Sequence, residues 1–587
     1  MDLTAALHEH FGFRDFRPGQ EQAVRAALAG RDTLVVMPTG SGKSLCYQLP
    51  ALMRDDLTVV VSPLVALMQD QVDALRARGA GDRVALVNAQ QDGDANRAAI
   101  ESAATGDLRL LYVAPERFGA PGFLERMAKA RIGLFVVDEA HCVSQWGHDF
   151  RPDYFRLEAV ARRLGATSVM ASTATATARV AADIARRLAL RDPVQVATGF
   201  DRPNLSFTVA RPAGGEKSRI LLEALRDDNA LPAIVYAGTR AGCEDMAQLV
   251  SAELGLRAES YHAGLDRERR AAVQRRFLAD ETPVIVATNA FGMGVDKPNV
   301  RTVVHAATPP SLEAYYQEAG RAGRDGLPGR ALLLAEPRDK ALHVHFIRQE
   351  ELDDRQARDV AGRLEWGADG DGGFSEDAGE LAAAAGCDGE RLRAIIGHLT
   401  RAGVVEPAPA PPGRVAGKLV GPYDRAAAMR CRTSMEDGIR VRWRQYREIW
   451  SYVESDGCRR RAILDHFGDA TRPELDRCCD VCDPALRAVA PPLPPEAFAD
   501  LDEAILAVAG SARPSVGRTT CAAILHGARS KKIQQNSYDG LTAYATASHM
   551  RRADILARVD ELITTGRLAT TPGAYPKLRV VPVAAAA

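Results

Sequence analysis

From about residue 31 to 335 the chain repeats one pattern. Short β-branched runs alternate with alanine-, leucine- and arginine-rich stretches of helical spacing. The runs are TLVVMP, LTVVVSP, LRLLYVAP, GLFVVDE and TSVMAST, then AIVYAG, TPVIVATN and RTVVHAA. A run that is apolar at nearly every position has no face to offer water, so it suits a strand buried on both sides. Such strands alternating with helices build parallel sheets covered by helices. The runs fall into two sets with a boundary at GFDRPNLSF (199–207). The expected fold class is therefore α/β, with two domains in tandem, 1–198 and 199–337, and a cleft between them. The remainder of a 587-residue chain is too long to join either core.

After residue 337 the pattern turns helical. A helical subdomain is expected over 338–370 and 421–484, interrupted by a unit at 371–420. There FSEDAGELAAAAGCDGERLRAIIGHLTRAGVV reads as short helices and a strand, and EPAPAPPGRVAG as a turn leading to KLVG, the outline of a winged helix. A DNA-contacting wing and a spacer are equally open roles for it. APPLPPE lies in a stiff linker, 485–496. Residues 497–582 read as helices closing with the hairpin GRLATTPGAYPKLRVV, and 583–587 as a tail.

Hydrophobic residues at 46% and charged ones at 26% are ordinary for a globular chain. A formal charge of −1 neither suggests nor excludes a nucleic-acid partner, because local patches decide that. The start, MDLTAALHEHFGF, lacks the basic and apolar regions of a signal peptide, and no apolar run approaches the roughly 20 residues that span a bilayer. A cytoplasmic protein without membrane contact is expected. The ten cysteines are scattered except for Cys458, Cys478, Cys479 and Cys482. Without a secretory signal, such a cluster reads as metal before disulfide. Its four thiolates suffice for a closed tetrahedral zinc site.

MPTGSGKS (37–44) follows a strand and precedes a helix, the setting of a phosphate-binding loop. Backbone N–H groups of Thr39, Gly40, Ser41 and Gly42 would face phosphate, Lys43 would reach the β- and γ-phosphates, and the Ser44 hydroxyl would join a Mg²⁺ shell. Met37 replaces the first glycine of the general pattern. VVDEAH puts Asp138 and Glu139 at a strand's C-terminal end, where open parallel sheets bind ligands. Asp138 can hold Mg²⁺, and Glu139 can deprotonate an attacking water. YYQEAGRAGRDG carries Arg321 and Arg324 three residues apart, on one helical face. They are either solvated surface arginines or groups that neutralise a transferring phosphoryl.

FGFRDFRPGQEQ (11–22), MPTGSGKSLCYQLPA, SPLVALMQDQV, DEAHCVSQWGHDFRPDY, VATNAFGMGVDKP and YYQEAGRAGRDG occur in this order and together resemble the RecQ-family DNA helicases of superfamily two. The resemblance implies two RecA-like motor domains followed by a helical zinc-binding subdomain and winged-helix domains. It implies ATP and Mg²⁺ as the nucleotide and its metal, with Phe13 and Arg17 sandwiching the adenine and Gln20 bonding its edge. It implies further that Ser172, Thr173 and Thr175 couple hydrolysis to domain motion, that Asp296 lines the cleft, and that Arg321 and Arg324 are arginine fingers. SQWGHDFRP matches the family's aromatic-rich loop. Gln145, Trp146, His148, Phe150 and Arg151 are then expected on single-stranded DNA, with Trp146 and Phe150 stacking on bases. Otherwise those two rings fill a domain-interface core.

CRRRAILDHFGD resembles the opening of the RecQ zinc-binding subdomain. The family's commoner spacing lands on Asp476 in place of Cys478, so Zn²⁺ on four cysteines and Zn²⁺ with Asp476 are both open. ILHGARSKKIQQNSYDGLTAYA resembles the family's C-terminal winged helix, called RQC, with Lys531 and Lys532 suited to phosphate and the hairpin to a strand-separating pin. The implied function is an ATP-dependent 3′-to-5′ DNA helicase acting as a monomer on forked, tailed or junction DNA in replication, repair and recombination. Single-strand-binding or recombination proteins are candidate partners. An RNA helicase with the same motor and an ATP-gated, non-unwinding junction scaffold are the alternatives.

Overall fold

The structure, a computed structural model, describes residues 2–88, 90–120, 122–144, 154, 156–212, 216–292, 297–408, 410, 413–472, 477–488, 496–528, 530–548, 550–572 and 576–581. The chain divides into two compact units, 1–209 with 229–487, and 210–228 with 488–587. Residues 210–228, expected in the second α/β domain, thus group with the C-terminal part.

The first lobe is one parallel sheet. Its strands are β1 (Thr33–Val36), β2 (Leu57–Val61), β3 (Val84–Val87), β4 (Leu110–Val113), β5 (Ile132–Val137), β6 (Ser168–Thr173) and β7 (Val194–Ala197), in the order β3-β4-β2-β5-β6-β1-β7. β1 to β5 are buried at every position, as their unbroken apolar runs require. The second lobe holds β8 (Leu205–Ala210), β9 (Ala233–Tyr236), β10 (Ala258–Tyr261), β11 (Val284–Ala287), β12 (Thr302–His305) and β13 (Gly329–Leu334), ordered β10-β11-β9-β12-β13-β8. Among the described residues no helix is long and apolar enough to cross a membrane.

The inserted unit comprises β14 (Gly373–Asp377), helices Ala378–Ala384 and Gly389–Arg401, and the hairpin β15 (Val405–Ala408) and β16 (Arg414–Leu419). The sheet order is β14-β16-β15, antiparallel throughout. Its core reaches outside 371–420. Leu381, Leu392, Ile395 and Leu399 pack with Val360 and Leu364 of the upstream helix Asp354–Trp366, and with Cys431 and Met435 of the helix Arg425–Glu454. The glycine-rich stretch 367–373 is a turn inside the fold, where the Asp369 carboxylate accepts from the N–H groups of Asp371 and Gly373. Helix 389–401 is turned inward. Arg391 Nε donates to Gln349 O at 2.9 Å, and His398 Nδ1 lies 2.9 Å from Ser434 Oγ. The wing meets the first lobe, where Arg156 donates to Pro407 O at 2.6 Å.

In the C-terminal unit, helices Glu496–Ser511, Arg518–Leu525 and Arg552–Thr564 pack with the hairpin β17 (Leu568–Thr570) and β18 (Leu578–Val580). Asp502 ties them by accepting from both Arg558 and Arg567.

Two buried histidines make stability pH-dependent. Burial, then the charge of Arg401, pushes His398 down to about 3, and burial also lowers His343, whose Nδ1 accepts the Trp450 indole N–H. The unfolded chain takes up these protons near pH 6.5 and the folded chain only at lower pH, about 3 for His398, so stability is full above 6.5 and drains as pH falls. Each neutral histidine is expected to cost up to about 1.4 kcal/mol per pH unit below about 6.5. Thermal unfolding at pH 7.5 and 5.5 should show a smaller midpoint difference for His398→Gln than for the parent; an equal difference refutes the assignment.

Candidate functional site

A cavity of about 480 Å³ opens at the C-terminal ends of the first-lobe strands. Its wall takes the phosphate loop at Thr39, Gly40, Gly42, Lys43 and Ser44, then Asp138 and Glu139, then Gln317, Arg321 and Arg324 from the second lobe. Each group arrives by a strand end or a helix end. β1 delivers the loop and β5 delivers the carboxylates, with Asp138 N donating to Val61 O at 2.9 Å. Helix Leu312–Ala319 ends just before the two arginines.

The loop's carbonyls are held from outside. Lys43 Nζ lies 3.2 Å from Met37 O and 3.5 Å from Pro38 O, Arg17 donates to Gly40 O at 2.6 Å, and Gln20 Nε2 donates to Ser41 O and Gly42 O at 2.9 and 3.1 Å. Gly40 and Gly42 have φ of +84° and +79°. The positive φ calls for glycine at both positions, and a Cβ would also crowd Gln20 Nε2 at 2.7 Å from Gly42 and Arg324 Cγ at 3.1 Å from Gly40. The Thr39 and Ser41 hydroxyls are buried without a hydrogen-bond partner among the described residues. Buried orphan donors along a phosphate loop fit a bound polyphosphate.

Burial pulls the Lys43 ammonium below its ordinary pKa, against the attraction of Glu139 and Asp138. Burial, then the charge of Glu139, pushes Asp138 up to about 7, with Lys43 pulling it back. Asp138, Glu139 and Ser44, lining one cavity, are a donor set that suits Mg²⁺, whose charge would relieve the crowding of the two carboxyls.

Other expected residues are placed as follows. Phe13 lines the cavity and is 47% exposed. The Gln20 amide is engaged with the protein at both ends, since Oε1 also accepts Arg17 N at 2.9 Å. Thr173 meets His141, whose Nδ1 is 3.0 Å from Thr173 Oγ1 and 3.3 Å from Glu139 Oε2. Ser172 is buried, and Thr175 N donates to Thr173 Oγ1 at 3.3 Å. Asp296, Gln145, Trp146, His148, Phe150, Arg151 and Asp476 lie outside the described residues, as does the side chain of Lys531. The described residues that flank the aromatic run, Ser144 and Tyr154, both make side-chain hydrogen bonds. Ser144 Oγ donates to Asp183 Oδ2 at 2.8 Å, and Tyr154 OH donates to Asp138 O at 3.1 Å. Lys532 Nζ donates to Thr520 Oγ1 at 3.1 Å.

Sequence reasoning missed several neighbours. Arg78 lies over the rings of Phe11 and Phe13, at 5.7 and 5.6 Å, and Gln317 lines the cavity. His141 and Arg202 were also passed over. The pairing of phenylalanines in FGF around a glycine was the available signal for Phe11; Arg78 offered none.

The sulfurs of Cys458, Cys478, Cys479 and Cys482 all lie within 4.8 Å of one another, with Cys458 3.6 Å from Cys478 and 3.9 Å from Cys479. Zinc bonded to four sulfurs at about 2.3 Å sets tetrahedral edges of about 3.8 Å, so the set fits Zn²⁺. Arg459 N–H points at Cys479 Sγ at 3.4 Å, a charge-stabilising contact from the protein. Glu313, Glu448 and His466 also converge, and His466 Nε2 at 3.0 Å from Glu313 Oε1 makes this a histidine–carboxylate pair.

Four family models match the chain: DEAD/DEAH box helicase over 17–184, helicase conserved C-terminal domain over 216–326, RecQ zinc-binding over 424–483, and RQC domain over 499–587. Among curated relatives, the probable ATP-dependent DNA helicase RecS of Bacillus subtilis is 35% identical over 82% of this chain and 92% of its own. The ATP-dependent DNA helicase RecQ of Bacillus subtilis is 32% identical over 98% of this chain and 81% of its own. That of Pasteurella multocida is 43% identical over 60% of this chain and 55% of its own. With the phosphate loop, paired carboxylates, facing arginines and cysteine cluster in place, the chain belongs to the RecQ family of ATP-dependent DNA helicases in superfamily two.

Proposed function

We propose that ATP hydrolysis in this cavity drives 3′-to-5′ movement along one DNA strand and unwinds forked, tailed or junction DNA in repair and recombination. The observation that carries the reading is a single cavity combining the phosphate loop, Asp138 and Glu139 of one lobe with Arg321 and Arg324 of the other. Lys43 leaves the loop carbonyls for the β- and γ-phosphates, and the loop's N–H groups hold their oxygens. Ser44 and Asp138 would hold magnesium, which would supply positive charge to neutralise the phosphates. Glu139 takes a proton from water as its oxygen attacks the γ-phosphorus, and the bond to the β–γ bridging oxygen breaks. Arg321 and Arg324 compensate the charge spreading over the γ-phosphoryl oxygens. Phe13 and Arg17 flank the adenine, and Gln20 and Asp296 complete the nucleotide's surroundings.

The aromatic run with Gln145, Trp146, His148, Phe150 and Arg151 meets the unpaired strand by stacking and phosphate contact. Tyr154 connects the end of that run to the Asp138 carbonyl, and His141 connects Glu139 to Thr173. These links support a coupling of strand binding to hydrolysis. Lys531 and Lys532 contact duplex phosphates. The protein works as a monomer on chromosomal DNA in the cytoplasm, and single-strand-binding or recombination proteins are its partners.

With ATP and magnesium, a 3′-tailed duplex should be unwound and a 5′-tailed one left intact; the reverse preference overturns the polarity. Lys43→Ala should lower ATP hydrolysis by at least about 100-fold. Trp146→Ala should remove about tenfold of the stimulation by single-stranded DNA, measured as the ratio of stimulated to unstimulated rates, and an unchanged ratio refutes the coupling. Cys478→Ser should lose the one zinc per chain seen by elemental analysis, whereas Asp476→Asn should keep it.

A further inference from the structure

The segment GFDRPNL (199–205), which the sequence offers only as a boundary, joins the two lobes, since β7 ends at Ala197 and β8 starts at Leu205. Its Arg202 guanidinium is largely withdrawn from solvent and holds backbone on both sides. Nη1 donates to Thr39 O of the phosphate loop at 3.0 Å and to Gly320 O at 3.1 Å. Nη2 donates to Ala322 O and Gly323 O, each at 3.0 Å. Gly320, Ala322 and Gly323 alternate with or adjoin the two arginines, Arg321 and Arg324. One planar group therefore joins the loop that cradles phosphate to the turn that presents the arginines. It also sits at the C-terminal end of helix 312–319, where carbonyls carry partial negative charge.

The joint is held from behind. Arg460 donates to Asp201 Oδ1 at 2.6 Å, to the carbonyl of Arg202 itself at 2.8 Å, and to Leu205 O. Phe200 stacks on Phe467 with ring centres 4.2 Å apart, and its N–H donates to Asp469 Oδ2 at 2.6 Å. The linker cannot move without moving Arg202, and Arg202 cannot move without breaking bonds to the loop or to the turn.

We propose that Arg202 is a positioning residue for hydrolysis, holding the turn that carries Arg321 and Arg324 in register with the phosphate loop. It is not part of the cavity wall and acts through the two arginines. Burial depresses its pKa, with Arg17 adding to that and Tyr316 opposing it, so the charge is retained at the expense of solvation and serves the backbone rather than bulk solvent. Lysine cannot replace it, because an ammonium offers no planar fork to span four carbonyls.

The inference rests on the hydrolytic reading above, and one set of rates separates the two. ATP hydrolysis by the full chain with single-stranded DNA is measured for the parent, Arg202→Lys, Arg202→Ala, Arg324→Ala and the Arg202→Ala/Arg324→Ala double variant. A parent that hydrolyses nothing takes both readings down. With an active parent, Arg202→Lys should lower kcat by about tenfold or more and leave the KM for ATP within about threefold, the pattern of an interaction made in the transition state. Adding Arg202→Ala to Arg324→Ala should cost less than Arg202→Ala costs in the parent, because one of the two groups it acts through is already removed. A kcat for Arg202→Lys within about twofold of the parent, or losses that multiply fully in the double variant, overturns the role. Arg202→Lys keeps the test valid if the alanine variant does not fold.

Discussion

The outward carbonyls of residues 37–42 are the constraint on which the site depends. MPTGSGKS has no intrinsic reason to keep one edge toward a ligand. It does so because Lys43, Arg202, Arg17 and Gln20 each take carbonyls on the other edge. These donors come from a strip before the first strand, from the loop itself and from the linker between lobes. The phosphate cradle is therefore a tertiary object, and its shape reports on parts of the chain far from it in sequence. Lys43 differs from the others, since its bonds are at 3.2 and 3.5 Å and it is the donor that a polyphosphate can recruit at least expense.

The cysteine cluster belongs to the same framework. Cys458 precedes the helix Arg459–Phe467, whose first residues reach in opposite directions. Arg459 pairs with Asp480 and donates to Tyr452 O and Ser455 O, consolidating the cluster. Arg460 grips the linker. Both are buried, and each fills several acceptors with one rigid fork, which explains arginine rather than lysine at these places.

Much of this was legible because burial and chemistry left local signatures. Runs such as GLFVVDE are apolar throughout, and only a doubly covered strand tolerates that, so both lobes could be read directly. Lys43, Asp138, Glu139, Arg321 and Arg324 stand in compact motifs, and the cavity gathers them. Arg202 could not be read, because its acceptors are backbone atoms more than a hundred positions away and have no side-chain signature. The start of the inserted unit was obscured for a different reason. GADGDGG has the composition of a linker, yet Asp369 folds it into a turn and the helix 354–366 before it completes the core. Gln20 was read as an adenine contact and it lines the cavity, but the loop carbonyls that its amide meets are visible only in three dimensions.

β8 lies at the margin of the second sheet, and such a margin normally presents unused donors and acceptors to solvent. Here Phe207 N donates to Cys478 O, Asp480 N donates to Phe207 O, and Thr208 Oγ1 donates to Leu486 O. The vicinal thiol dipeptide thus doubles as a cover strip for a raw selvage. Oxidative damage or chelation that loosened the strip would bare a template for intermolecular β-pairing, so protection against clumping and integrity of the sulfur knot are one property of this chain.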